Sequence, residues 1–230
     1  LFPIALPQLC VRDGTSSAGK TIPEVMARNL NISGFFEVLN PGAYIETQGK
    51  CAPRGEFAYS DWTVIGAEGL VRGEVSETPT GIKVTLLLYD VLRQQMVLGK
   101  EYEGDEGLIS TIAHKFSNEI MRFFTGEYGV FGTRIAFSSK VGRFKELFIM
   151  DMDGSNVRQL TNERGLAISA AWSANGEQLV YTSYRRRVPD IFAYSLSSGD
   201  SRQVTRGAAL EVGPEFSRDA ESVLASQSNN

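Results

Sequence analysis

The feature that most constrains this chain is a repeat. Residues 134–139 (RIAFSS) match 178–183 (QLVYTS), and 222–226 (SVLAS) open a third copy. Residues 147–150 (LFIM) match 191–194 (IFAY), 158–161 (RQLT) match 202–205 (RQVT), and 171–177 (AWSANGE) match 215–221 (EFSRDAE). Every pair is offset by 44 residues with no insertion between. A period of about 40–45 residues holding four short strands is the signature of a propeller blade. In the second copy, strands are expected at 170–172, 179–182, 191–194 and 202–205, with tight turns at 173–176 and 197–199. Successive strands reverse direction, so the turns alternate between two faces. The basic hairpin tips (Lys140, Arg143 and Lys145; Arg185, Arg186 and Arg187) then share a face with the inter-blade links at 163–169 and 206–213. Such a rim suits a partner with acidic groups.

Little more than two copies are present, whereas closed propellers take about 4–8 blades. The first copy also starts at its second strand, because no Trp-turn pattern stands at Tyr128, 44 residues before Trp172. Residues 130–230 therefore read as two blades and the start of a third, cut short, the first blade's missing strand coming from the far C-terminus.

Residues 1–129 follow a different grammar and read as a small α+β domain. An apolar stretch at 2–11 precedes a polar loop at 12–20. Thr21-Ile-Pro-Glu24 has the form of a capping box with an early Pro, so a helix is expected from Thr21, with Ile22, Val25, Met26 and Leu30 as its apolar stripe and Gly34 as its stop. A strand is expected at 35–39, and a helix or turn from Ser60. Strands at 70–75, 82–89 and 96–102, joined by short turns, predict an antiparallel meander. Leu108, Ile109, Ile112, Phe116, Ile120, Phe123 and Phe124 then fall at helical spacing, closed by Gly126.

Counts prune the chemistry. The 230 residues are 42% apolar and carry a net charge of −4, enough for a real core and without the basic stripe that nucleic acid requires. With one histidine, His114, and two cysteines, Cys10 and Cys51, no zinc site of the usual Cys/His spacing can be built. His114 falls off the apolar stripe of its helix and is expected to be solvated. Cys10 and Cys51 could bridge in an oxidising compartment, though spacing alone leaves this open. No apolar run approaches the ~20 residues of a membrane span. The first residues, LFPIALPQLCV, lack an initiating Met and hold Pro3 and Pro7, and so read as a strand within a processed or cut chain rather than as a signal peptide.

Residues 14–21 match the phosphate-loop pattern at Gly14, Gly19, Lys20 and Thr21, and the strand ending at Asp90 offers a magnesium-holding partner. Against a nucleotide site stand the meander, which lacks crossover helices, and Thr21 at the helix cap. A Gly/Ser loop is the expectation, with nucleotide binding as the alternative. Asp151, Asp153 and Gly154 suggest calcium, but the next copy replaces them with Ser195, Ser197 and Ser198, which reads as turn chemistry. No cofactor or metal is expected.

The N-terminal domain, the segment Phe131-Gly-Thr-Arg-Ile-Ala-Phe137 and the 44-residue repeats together resemble the TolB family of Tol–Pal systems in Gram-negative envelopes. Residues 29–36 (NLNISGFF), 124–126 (FTG) and 158–161 carry the likeness, and 171–177 is similar to the family's Trp-Ser-Pro-Asp-Gly turn, with Ala174 and Asn175 replacing Pro and Asp. The resemblance implies a periplasmic, non-enzymatic scaffold with a six-bladed propeller. It implies binding of the lipoprotein Pal through Ala167, Ile168 and Ser169 and through Leu210, Glu211, Val212 and Gly213, the face that strand direction gives to Arg185, Arg186 and Arg187. It also implies contact with TolA through a segment preceding residue 1. The propeller of a serine peptidase is the remaining alternative.

Overall fold

A computed structural model describes residues 1–12, 14, 16–186, 188–206 and 209–228. They divide into two compact units, Leu1–Gly132 and Thr133–Asn230.

The first unit is built on one mixed sheet. Its strands are β1 (Phe2–Ala5), β2 (Cys10–Val11), β3 (Phe36–Val38), β4 (Gly69–Thr78), β5 (Gly81–Asp90) and β6 (Gln95–Gly104), and its helices are α1 (Ala18–Ser33), α2 (Tyr59–Thr63) and α3 (Ile109–Thr125). The spatial order is β3-β1-β4-β5-β6, with the short β2 beside β4. The expected meander forms through β4, β5 and β6, while β1 runs parallel to both β3 and β4. The parallel half is what the crossover through α1 produces.

Helix α1 buries Ile22, Val25, Met26 and Leu30, and Gly34 ends it in the left-handed region at φ 71°. Its start corrects the expectation at Thr21. The helix begins at Ala18, with Ser17 as a cap that makes no side-chain bond, and Thr21 lies inside it. Two local facts explain this. Gly19 closes on β2 so tightly that a Cβ there would meet Val11 Cγ2 at 2.7 Å. Pro23 has no N–H for the carbonyl of Gly19, four residues earlier, and Leu9 N–H donates to that carbonyl instead at 2.8 Å.

Helices α1 and α3 pack together, and Asn29 links them, its amide 3.1 Å from Ser117 Oγ and 3.0 Å from His114 Nδ1. His114 is thus half-buried and bonded rather than solvated, because the polar partner it needs arrives from the other helix. Strand β5 is buried on both faces. Leu87 and Tyr89 join Ala5, Trp62, Ala67, Leu70 and Val91 in a cluster covered by Leu39, Tyr44, Phe57 and Tyr59. A disulfide between Cys10 and Cys51 ties this covering segment to β2.

The second unit holds three antiparallel sheets. The first is β7 (Arg134–Val141), β8 (Phe144–Asp151) and β9 (Arg158–Gln159); the second is β10 (Ala167–Trp172), β11 (Gln178–Ser183), β12 (Asp190–Ser195) and β13 (Ser201–Gln203); the third is β14 (Leu210–Phe216) with β15 (Val223–Ser228). Leu147, Ile149, Ala167, Leu179, Tyr181, Phe192 and Tyr194 form its core. The repeat recurs as hydrogen bonds. In the turn at 173–176, Gly176 N–H donates to the Ser173 carbonyl and Gln178 N–H to Ser173 Oγ, both at 2.9 Å. The turn 44 residues on does the same, with Ala220 N–H to the Ser217 carbonyl at 2.9 Å and Ser222 N–H to Ser217 Oγ at 3.0 Å.

Candidate functional site

The links between blades are held by buried acids. Glu146, 1% exposed, accepts from Thr161 Oγ1 at 2.6 Å and from the N–H groups of Glu163 and Arg164 at 2.9 Å each. Thr161 Oγ1 in turn accepts from Leu147 N–H at 2.9 Å. A buried carboxylate survives only with such a set of donors. Forty-four residues on, Asp190 is also buried, and Ile191 N–H donates to Thr205 Oγ1 at 3.0 Å.

A second cluster locks the hairpin of the second blade to its incoming link. The Glu163 carboxylate accepts from the hydroxyls of Tyr181 and Ser183 and pairs with Arg185 at 2.7 Å. The Arg185 guanidinium also lies 3.7 Å from the centroid of the Phe192 ring. Burial, and then the Glu163 carboxylate, push the Tyr181 phenol well above its ordinary value of 10.0, so it stays neutral and donates. Arg185, expected at a free basic tip, is therefore committed within the blade. Arg186 is exposed, and Arg187 lies outside the described residues. In the first hairpin, Lys140, Arg143 and Lys145 are all exposed.

The hairpins are bonded to the links, both the one entering their own blade and the one entering the next. Lys145 N–H donates to the Gly165 carbonyl at 3.0 Å, Tyr184 N–H to the Leu166 carbonyl at 2.8 Å, and Glu211 N–H to the Pro189 carbonyl at 3.3 Å. Tips and links thus form one rim. The residues expected in the links, however, lie in strands. Ala167, Ile168 and Ser169 open β10, and Leu210, Glu211, Val212 and Gly213 open β14. Both strands break register just there, between Ile168 and Ala171 and between Val212 and Glu215. Ser169 (φ 56°) and Gly213 (φ 64°), equivalent in the repeat, both adopt the left-handed backbone that makes such a bulge. The turn-like composition of these segments marks the bulge, not a loop.

The bulge sorts the side chains. Ala167 and Glu211 are buried, while Ser169, Leu210 and Val212 are exposed and Ile168 is half-buried. Gly213 N–H donates to Thr182 Oγ1 at 3.2 Å. One oxygen of the buried Glu211 carboxylate has no hydrogen-bond partner. The sequence reading missed Glu146 and Glu163. A signal for the first was present, since an acid directly before the third strand and a Thr fifteen residues later recur in both copies. Glu163 left none, because position 207 of the next copy is Gly.

The phosphate-loop pattern builds no comparable site. Gly19 faces β2, Lys20 projects outward with its Nζ 3.8 Å from Glu24, and the Glu77 carboxylate packs directly over Gly14, where an anion would lie. Asp90 pairs with Gly69 and Glu77 with Ile82, so the two ends of β4 separate Asp90 from Gly14 by roughly 26 Å at the rise of a strand. Among the described residues, no group of three His, Cys, Asp or Glu stands together as a metal site, and no helix is long and apolar enough to cross a membrane.

Two family profiles match the chain, the TolB amino-terminal domain over residues 1–97 and the TolB beta propeller domain over residues 121–230. The Tol-Pal system protein TolB of Syntrophotalea carbinolica is 33% identical over 178 residues, covering 75% of this chain and 41% of that protein. The Tol-Pal system protein TolB of Anaeromyxobacter dehalogenans is 34% identical over 177 residues, covering 76% and 40%. The crystal structure of TolB from Acinetobacter baumannii matches with a TM-score of 0.80 at 26% identity, covering 100% of this chain and 55% of that one. The chain spans about two fifths of the length of the curated relatives it matches.

Proposed function

The chain belongs to the TolB family, and from that premise we propose that it is the N-terminal part of a periplasmic, non-enzymatic scaffold of a Tol–Pal system. In this reading residues 130–230 are the opening blades of a longer propeller, completed by chain beyond them. The scaffold binds Pal on the rim of tips and links and meets TolA through a segment preceding residue 1. A disulfide in the first unit fits an oxidising compartment.

The observation that carries the binding reading is the bulge recurring at Ser169 and Gly213 beside the hairpin tips. It leaves Ser169 outward in one blade and Leu210 and Val212 outward in the next, on the rim that also carries the exposed Arg186. Ala167 and Glu211 then serve from beneath, as the packed floor of that surface, while Arg185, held by Glu163, and the half-buried Ile168 lie at its margin.

Calorimetric titration of the full-length parent protein with Pal tests this, with magnesium-ATP as a parallel titrant. Saturable Pal binding is expected, with no nucleotide heat. Leu210→Asp and Arg186→Glu should weaken Pal binding, the first by about tenfold or more and the second less, with a reduced salt dependence. Unchanged affinity in both variants would remove the rim from the interface, and nucleotide heat lost in Lys20→Ala would restore the alternative.

A further inference from the structure

A different surface, within the first unit and independent of the propeller rim, carries a further inference. Beside β3 and the last turn of α3 lies an open groove of about 560 Å³, lined by Phe2, Phe35, Phe36, Met121 and Phe124, with Glu127 at its polar end. The rings of Phe2, Phe36 and Phe124 pack at centroid separations of 4.4 to 6.0 Å. Phe123 stands 5.0 Å from Phe124. Phe35 is 55% exposed, Phe123 49% and Phe124 39%. Single exposed apolar residues are ordinary, but a contiguous aromatic patch around a groove of this size marks an interaction site.

The adjoining strand edge does not compete for an occupant. Among the described residues, β3 is the last strand of its sheet and pairs only with β1. Phe2 N–H donates to the Phe35 carbonyl and Leu39 N–H to the Ile4 carbonyl, with Phe2 opposite Phe36. In a parallel ladder this leaves Phe36 and Val38 addressing the outer edge. Asn31 Oδ1 takes the Val38 N–H at 3.3 Å and Phe36 is only 2% exposed, so this edge is covered and the groove offers aromatic side chains rather than free peptide groups. An extended segment laid along the groove would pack its apolar side chains against the exposed rings of Phe35 and Phe124.

Charge selects the occupant. Glu37 is exposed at the centre of β3, Glu127 lines the groove, and the carbonyl end of α3 adds partial negative charge. No lining residue is basic. The cation of the last helical turn, Arg122, is occupied by Tyr128, with its guanidinium 4.6 Å from that ring. A second copy pairing edge to edge through this three-residue strand would bring two Glu37 side chains together, which is unfavourable. An anionic lipid headgroup would meet Glu37 and Glu127.

We propose that this groove docks an extended, basic segment of a partner protein. The segment lies along the groove, buries an apolar side chain among Phe35, Phe36 and Phe124, and sets a Lys or Arg against Glu127. The test is to pan a random dodecapeptide display library against the whole chain, with counter-selection on its Phe35→Ser variant, and to measure the enriched peptides by fluorescence anisotropy. Phe35 is more than half exposed, so this variant should melt as the parent does. Enriched peptides are expected to alternate apolar residues and to carry Lys or Arg. They should bind Phe35→Ser about tenfold more weakly and Glu127→Lys several-fold more weakly, as expected for losing a hot-spot contact and a rim charge. Absence of enrichment, acidic winners, or equal binding to both variants would overturn the proposal. So would dimerisation of the parent abolished by Phe35→Ser, which would assign the groove to a second copy. Binding to phosphatidylglycerol vesicles lost in that variant would assign it to lipid.

Discussion

The two blade copies share a backbone and differ in chemistry. Thr161 and Thr205 accept from equivalent N–H groups, Glu146 and Asp190 are both buried, and Ser169 and Gly213 bulge alike. Yet the acid is one methylene shorter in the second copy, and the link residue Glu163, which holds Tyr181, Ser183 and Arg185, has Gly as its counterpart. The hydrogen bonds that define a blade are thus kept at fixed offsets, while what holds its rim varies. A propeller can present different surfaces on one skeleton because the skeleton depends on few side chains.

The comparison breaks most readily at Glu146. Replacing it with Ala strands the buried Thr161 hydroxyl and two part-buried N–H groups, at a cost of about 3 kcal/mol. Calorimetry should show this loss in the second unit only, with the first unit's transition unmoved.

The threonines should rank next. Thr161→Val removes both a donor to Glu146 and the acceptor for Leu147 N–H, whereas Thr205 is only half-buried. About 2 kcal/mol is expected for the first and about 1 kcal/mol for Thr205→Val, read from urea midpoints. Equal losses would mean that burial of the anchor does not set its worth.

Much of this was legible in sequence, and what was not has physical causes. The 44-residue offset exposed the blades because strand, turn and strand recur without insertion. The stripe of Ile22, Val25, Met26 and Leu30 showed α1 for the same reason of period. The start of α1 misled because Thr21 and Glu24 imitate a capping box, while the real cap, Ser17, makes no side-chain bond. The first residues of β10 and β14 resembled loops because bulges use turn-forming residues. Asn29 and His114 lie 85 positions apart, and no local pattern announces a bond between helices. The rim became visible only when the links folded back onto the tips.

The turns give a smaller and sharper contrast. Gly176 and Ala220 both sit at positive φ, 69° and 60°, which costs a residue with a Cβ about 1 kcal/mol. Gly176→Ala should therefore destabilise, and Ala220→Gly stabilise, each by slightly less than that amount, since glycine also loses more entropy on folding.

The smallest expected effect is alkaline. The Tyr181 phenol is raised above 10.0 in the fold, so its contribution is intact below that pH. It is lost as pH rises further, because the unfolded chain ionises first. Tyr181→Phe should flatten that part of the decline. Tyr102 in the first unit, pushed up to about 12 by burial and by Glu119, together with Tyr44, Tyr59 and Tyr89, also raised chiefly by burial, should leave the rest.

The bridge from Cys10 to Cys51 closes a loop of chain that contains all of α1 and β3. A protease that nicks this loop would release nothing. Both pieces would migrate as one species until a thiol is added, and would part only then. The first unit thereby keeps its severed halves at molecular proximity, free to settle back into place.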